Sequence, residues 1–358
     1  MADCDLERLT ASISLTDKAR YRWNRVTDRI ALRSGALHEP KLFAQEALIN
    51  NRGCRVNLKQ PQLSEDQNPS RPLETYLVEL REHGYTVLDG VVDSAALGRI
   101  REATHTASKS LAEAPPDFDD RFGVPNGIAW SQDICRAVTH PGALWVIRSY
   151  LETADIHFCH QPAMTVLRPA KDLIGHHPES GWHSDYPYHP DVYPDDRWAD
   201  DAIYGVQFNI CIDAFRQDNG ATQFVPQSHL KQCFPPIEMN RGGTRMGKPP
   251  HETVAQMVAP EGAALIYDSR IWHRACPELN VSGTDRMAIL NAVCPNWVRP
   301  MVDKRPGQAV YVDADMAPNL PSSVAAEITQ LCCTPTQPPP DNAPKILERP
   351  PGPRKINI

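Results

Sequence analysis

The segment Gly181-Trp182-His183-Ser184-Asp185-Tyr186 sets an imidazole and a carboxylate two residues apart. On an extended strand such residues project from one face, so His183 and Asp185 would present a nitrogen and an oxygen ligand side by side. Two ligands hold a metal weakly, and a third must come from elsewhere in the chain. The candidate is His273 in Tyr267-Asp268-Ser269-Arg270-Ile271-Trp272-His273, which follows the apolar stretch 263–267. Two histidines and one carboxylate on one side of a metal leave three positions open, an arrangement suited to Fe(II) and oxygen chemistry. An isolated H-x-D pair is common, and its plain reading is a histidine hydrogen-bonded to a carboxylate in a loop. The surrounding chain has to decide between the two.

The elements that would position these residues begin at Pro72. Pro72 suits a first helical turn, Leu73, Leu77 and Leu80 share a face, and Gly84 stops the helix. Residues 85–88 read as a short strand, and Asp93 or Ser94 caps a second helix carrying Leu97, Ile100 and Ala107 on one side. Further helices are expected at 131–138 and 141–151. Short strands then follow at 156–159, 164–167, 203–212, 222–225, 263–267 and 287–293, separated by turn residues such as Asp218-Asn219-Gly220. In 203–212, Tyr204, Val206, Phe208, Ile210 and Ile212 alternate with Gly205, Gln207, Asn209 and Cys211, giving an apolar face and a smaller, more polar one. Many short strands of this kind point to a mainly β fold with flanking helices, built as a sandwich or jelly roll. Helical patterning also occurs between residues 6 and 33. The expected organisation is an N-terminal extension (1–70), a core domain (71–300) and a C-terminal extension (301–358) whose last 25 residues contain eight prolines and favour polyproline II.

The bulk properties narrow the class. The chain has 358 residues and a net charge of -7, which disfavours a nucleic-acid partner, since phosphate binding rests on basic patches. No apolar run approaches the roughly 18 residues of a membrane span, and the first residues carry no secretory signal. Ten cysteines without a C-x-x-C pair predict free thiols in a reducing, cytoplasmic compartment and no zinc ribbon. His157 and His160 flank Cys159, but no second ligand pair stands out for zinc.

Between the two parts of the presumed metal site lies Asn219-Gly220-Ala221-Thr222-Gln223-Phe224-Val225-Pro226-Gln227-Ser228-His229, and Arg286 follows His273 by thirteen residues. Together with His83-Gly84-Tyr85-Thr86-Val87-Leu88-Asp89-Gly90-Val91-Val92-Asp93 and the W-H-x-D segment, these motifs resemble the phytanoyl-CoA dioxygenase-like Fe(II)/2-oxoglutarate oxygenases, from about Glu79 to about Arg299. The resemblance implies a double-stranded β-helix (jelly-roll) core. It also implies iron held by His183, Asp185 and His273, and 2-oxoglutarate anchored at its distal carboxylate by Arg286. The implied reaction oxidises, most simply hydroxylates, an unactivated C–H of a small-molecule substrate with O2, while 2-oxoglutarate becomes succinate and CO2. Elementary chemistry supports the arginine: a planar guanidinium meets a carboxylate in two parallel hydrogen bonds, and a cation opening the apolar run Met287-Ala288-Ile289-Leu290 needs an anion. Two positions depart from the family pattern. Ala275 stands where many members carry a hydroxyl, and Arg286 lies slightly further from His273. Asp185 argues against the halogenating branch, where a small residue leaves room for chloride.

Gln161, Gln207 and Asn209 are further candidates to touch cosubstrate or substrate; for the last two the alternative is a satisfied hydrogen-bond network in the sheet. Trp182, Tyr186 and Trp297 are candidates to line a substrate pocket, although aromatic residues beside a metal are as often packing. The irregular stretch 171–201 reads as a lid. Two other readings stand beside the oxygenase: a cupin-like metal enzyme that does not use 2-oxoglutarate, which leaves Arg286 without a role, and a non-catalytic jelly-roll binding module.

Overall fold

A computed structural model describes residues 48–50, 55–64, 68–112, 124, 126–172, 181–188, 203–236, 239, 253–298 and 317–332. The chain divides into two compact units, Met1–Ile49 and Asn50–Ile358, and the elements below belong to the second. The helices expected between 6 and 33, most of the expected lid and the proline-rich tail lie outside the described residues.

Helix α1 (Leu73–His83) follows Pro72, which itself occupies the cap, with φ -56° and ψ 142°, one position earlier than expected. It buries Leu73, Tyr76, Leu77 and Leu80 and ends at Gly84, whose φ of 82° is the left-handed conformation that spares glycine a Cβ clash. Strand β1 (Tyr85–Leu88) leaves directly from that turn. Helix α2 (Ser94–Ala112) is capped by Asp93, whose carboxylate accepts the Ala96 amide at 2.8 Å. Ser131 accepts the Asp133 amide to start α3 (Gln132–Val138), and Pro141 opens α4 (Pro141–Leu151) behind His140, whose ring accepts the Ala143 amide. These caps satisfy amides that would otherwise be orphaned at the helix starts.

The strands are β2 (Ile156–Leu167), β3 (Val206–Cys211), β4 (Gln223–Phe224), β5 (Ala255–Gln256), β6 (Ala264–Asp268), β7 (His273–Arg274) and β8 (Arg286–Pro295). A five-stranded sheet runs in the order β1-β6-β3-β8-β2, and a three-stranded sheet in the order β5-β4-β7, with antiparallel pairing throughout. A final helix, α5 (Ser322–Leu331), packs Ile328 and Leu331 into the core.

The two faces of the large sheet do different work. Val206, Phe208 and Ile210 of β3, Ile266 of β6, and Met287, Ile289 and Val293 of β8 join Leu80, Leu97, Ile100, Ile134, Val146 and Ile147 of the helices in one core. Each such apolar side chain contributes about 1.5–3 kcal/mol on burial. The opposite face supplies Cys211, Leu265, Tyr267 and Ala288, which meet Phe224 of the small sheet together with Phe215 and Met257. This is a mainly β, jelly-roll architecture with helices covering one sheet. Register is set by that division: a one-residue slip of β3 would drive Gln207 and Asn209 under the helices and Phe208 between the sheets.

One expectation is corrected. The two strands foreseen at 156–159 and 164–167 form the single strand β2. Its pairing with β8 is regular up to Leu290↔Ala163; Gln161 and Pro162 then stand opposite Asn291 alone before Ala292↔His160, and a second shift skips Cys159 before Val293↔Phe158. Proline has no N–H to give the ladder, and a bulge absorbs it without ending the strand. The interruption in the apolar pattern was therefore local rather than a boundary.

A pair of glycine replacements tests this reading. A Cβ on Gly84 would lie 2.5 Å from Nδ1 of the His229 ring at a positive φ, so Gly84→Ala is expected to cost about 1–3 kcal/mol. Gly98, in the exposed interior of α2 with nothing within 4 Å, should gain about 0.5–1 kcal/mol on replacement by alanine. Urea unfolding of the two variants checks both signs.

Candidate metal centre

His183, Asp185 and His273 converge, with one ligand atom from each lying within 4.8 Å of the others. Among the described residues this is the group of three or more potential ligands that comes together. Asp185 reaches the Nε2 of His273 at 3.1 Å and that of His183 at 3.7 Å, and the two imidazole centroids are 4.4 Å apart. The Nδ1 of His183 donates to the Gly181 carbonyl at 2.7 Å, and that of His273 to the Ile271 carbonyl at 3.0 Å. A carbonyl only accepts, so in both rings Nδ1 carries a hydrogen, and it is Nε2 that is left to lose its proton and offer a lone pair. The resulting tautomer is the one a metal requires when it approaches from the Asp185 side.

The backbone arrangement differs from the expected strand through His183 and Asp185. Only His183 enters a ladder, as a single bridge in which it and His273 exchange N–H···O bonds of 3.0 Å in each direction. The chain then turns at Asp185, whose carbonyl accepts the Tyr188 amide at 2.8 Å, and a turning chain cannot continue the ladder. The Asp185 amide instead donates to the Ser269 carbonyl at 2.8 Å, which aims the carboxylate at both imidazoles. Burial alone would raise the Asp185 carboxyl, but the imidazoles of His273 and His183 hold it at about 2. It is therefore ionised across the working range and ready to bind a cation.

Arg286 opens β8 on the inner face that also carries Ala288 and Ala292. It is buried, lies 3.9 Å over the Phe215 ring, and donates Nη1 to the Gly220 carbonyl at 2.5 Å, while its Nε has no hydrogen-bond partner. Burial pulls its pKa down to about 10. No carboxylate among the described residues pairs with it; Asp213 instead accepts from the Met287 amide and from Arg101. A buried guanidinium with an orphaned donor, beside small neighbours at Ala288 and Cys211, fits one carboxylate of an acidic ligand. The N-G-A segment builds this cradle: Asn219 accepts the Arg216 amide and donates to the Ala214 carbonyl, which sets the carbonyl of Gly220 toward Arg286. Ala275 is exposed and offers no hydroxyl.

The remaining candidates divide. Ala292 of β8 pairs with Gln207, and Gln207 with Tyr267, so these side chains share one rung of the inner face. Tyr267 packs edge-on against His273, with centroids 5.1 Å apart. Gln207 lies 3.5 Å from the Ser269 hydroxyl, whereas Asn209 donates to the Tyr267 hydroxyl at 3.2 Å and accepts the Asn291 amide at 3.1 Å. Asn209 is thus part of a buried network. Gln161 is buried at the bulge of β2. Tyr186 packs with Cys159, Ala292 and Cys294 beside the inner face, and Trp297 is half-exposed beyond β8. Trp182 belongs elsewhere: with Trp272, Val225 and Met239 it forms a separate apolar cluster, as expected for residues that alternate with His183 and His273. Ser228 of the V-P-x-S-H stretch accepts the Trp272 amide at 2.8 Å and so steadies the residue next to His273.

Sequence reasoning missed Tyr267 as the ring against which His273 rests. It weighed His160 only against a zinc site and did not place it here, on the rung of Ala292. Tyr267 had a visible signal, a tyrosine in phase with Leu265 on an apolar strand; His160 became legible only through the register. Replacing Asp185 by alanine removes the anionic ligand, and affinity for a divalent ion is expected to fall by more than about 100-fold, beyond the usual effect of an outer-shell change. Calorimetric titration with Co(II) measures this.

The chain is 25% identical over 244 residues to two uncharacterised proteins, Rv1501 of Mycobacterium tuberculosis and Mb1539 of Mycobacterium bovis, covering 64% of this chain and 79% of each of them. Solved structures with some likeness include AviO1 from Streptomyces viridochromogenes Tue57 (15% identity, TM-score 0.46, 65% of this chain and 99% of that one). Another is SnoN, a non-haem α-ketoglutarate-dependent epimerase from nogalamycin biosynthesis (16% identity, TM-score 0.44, 63% and 83%). Matched over residues 80–288, more than half its length, the chain belongs to the phytanoyl-CoA dioxygenase (PhyH) family, whose enzymes use Fe(II) and 2-oxoglutarate.

Proposed function

We propose that this protein is a 2-oxoglutarate-dependent oxygenase that hydroxylates an unactivated C–H of a small molecule, through a catalytic domain spanning residues 71–300. His183, Asp185 and His273 are the metal ligands, and Arg286 anchors the distal carboxylate of 2-oxoglutarate. The observation that carries this reading is the buried Arg286, a cation with an orphaned Nε and no acidic partner among the described residues. A cupin-like enzyme without an acidic cosubstrate would bear the desolvation of that guanidinium for nothing.

When bound, iron and 2-oxoglutarate supply the oxidant, with O2 consumed and succinate and CO2 released. The protein's own contribution is positional. His183 and His273 are held in one tautomer by backbone carbonyls, and Asp185 balances part of the metal's charge. Arg286 fixes the far end of the cosubstrate, so its keto-acid end is presented in a single orientation. Tyr186 and Trp297 are assigned to the substrate side and Gln161 and Gln207 to the cosubstrate side. The seven cysteines in the described residues are all free, which accords with a reducing cytoplasm.

Two measurements test the assignment. Anaerobic addition of Fe(II) and then 2-oxoglutarate should develop the visible charge-transfer band of the chelate. Arg286→Leu should bind the metal normally yet weaken 2-oxoglutarate binding by at least about 100-fold, the loss of a charge-assisted bidentate contact. Its metal-free form should stay within about 1 kcal/mol of wild type, because a desolvated charge is removed with the side chain. A wild-type protein that bound iron without developing the band would sink the cosubstrate reading. Substrate-stimulated succinate formation that survived Asp185→Ala/His273→Ala would sink the metal assignment.

A further inference from the structure

Three successive carbonyls in the turn between β6 and β7 are each engaged by the metal site. Ser269 O accepts the Asp185 amide at 2.8 Å, Arg270 O accepts the Ser184 hydroxyl at 3.1 Å, and Ile271 O accepts the Nδ1 of His273 at 3.0 Å. Whatever fixes this turn therefore sets the direction of ligands from two distant segments at once.

What fixes it is a buried ion pair. Asp268 is 0% and Arg270 5% exposed. The guanidinium Nη2 donates to Asp268 Oδ2 at 2.6 Å and its Nε to Oδ1 at 3.0 Å, while the Arg270 amide also donates to Oδ1, at 2.7 Å. Tyr150 of α4 donates its hydroxyl to the same Oδ2 at 2.5 Å. Two backbone bonds close the frame, from Ile271 N to Asp268 O at 3.0 Å and from Asp268 N to Gly84 O at 2.8 Å. Burial alone would lower the Arg270 pKa, yet Asp268 holds it above the ordinary guanidinium value, so the guanidinium stays charged.

We propose that the Asp268–Arg270 pair, tied to the helical layer by Tyr150, is the positioning element of the metal centre. It holds the 269–271 carbonyls at the spacing that orients Asp185 and His273. This rests on the triad being the metal site; neither residue touches the metal or its ligands' side chains. An ion pair this deeply buried is weak evidence for stability, since apolar replacements of equal volume are often tolerated. Its distinctive contribution here is geometric.

The test uses the full chain and Co(II) as the probe, with metal affinity, the d–d absorption band and the thermal midpoint read together. Asp268→Asn/Arg270→Met removes both charges at similar volume, so no unpaired charge is left behind. We expect a folded protein whose Co(II) affinity falls about 10–100-fold with an altered d–d band, as outer-shell changes do. As a control, Arg148→Met/Glu327→Gln removes an ion pair between α4 and α5 in which the hydrogen bonds of Arg148 go to Ala154 and Glu327 and not to the turn. It should move the thermal midpoint and leave the Co(II) affinity as it was. Should the first double variant not fold, Ser184→Ala reports on the same frame by deleting one of its three links, with a fall in affinity of about 2–10-fold and a shifted band. Wild-type affinity and band in the folded double variant, or in Ser184→Ala, would overturn the inference alone. A wild type that took up no Co(II) would overturn it together with the metal reading. Because metal alone is read out, failure of 2-oxoglutarate to bind bears on the proposed function and not on this.

Discussion

The reciprocal backbone pair between His183 and His273 is the constraint on which the rest depends. Ninety residues separate them in the chain, yet each donates its amide to the other's carbonyl at 3.0 Å. In an antiparallel ladder, directly paired residues direct their side chains to the same face, so this bridge by itself brings the two imidazoles together. Asp185 needs only one further bond, to Ser269, to complete the set. The fold thus assembles a three-ligand site by extending its small sheet with a single bridge.

The large sheet provides what that bridge needs. One of its faces is closed by helices over Phe208, Ile210, Ile266 and Ile289, and this apolar burial carries most of the stability. The other face packs against Phe224, Phe215 and Met257 over part of its area and holds polar groups beside that cluster. It can carry Gln207, Asn209, Tyr267 and Arg286, residues that would be costly in a closed core. Arg286 shows the tension most plainly. Its guanidinium is desolvated and its Nε has no hydrogen-bond partner, a cost that an acidic cosubstrate would relieve under the proposed function.

A good part of this was legible from residue order. Pro72, Gly84, Asp93, Ser131 and Pro141 mark helix ends because their backbone preferences are local, and the structure places all five at helix boundaries. The alternation in 203–212 correctly assigned Phe208 and Gln207 to opposite faces, since side-chain direction along a strand follows a period of two. Local rules misread two places. The gap between the strands expected at 156–159 and 164–167 is bulged pairing within one strand, and the H-x-D segment, expected on a strand, is a bridge followed by a turn.

The sequence by itself determined the chemistry available: two imidazoles, a carboxylate, and an arginine thirteen residues beyond the second histidine. Those identities belong to the side chains and need no fold to be read. Only the tertiary structure decided which nitrogen of each imidazole faces the site, that Trp182 turns away from it, and that Asn209 is occupied by Tyr267. It alone joined Tyr150 to Asp268, 118 residues later in the chain. Each of these is settled by a partner remote in sequence. Hydrogen bonds and packing act over a few ångströms of space, so they become visible only once the strands have paired.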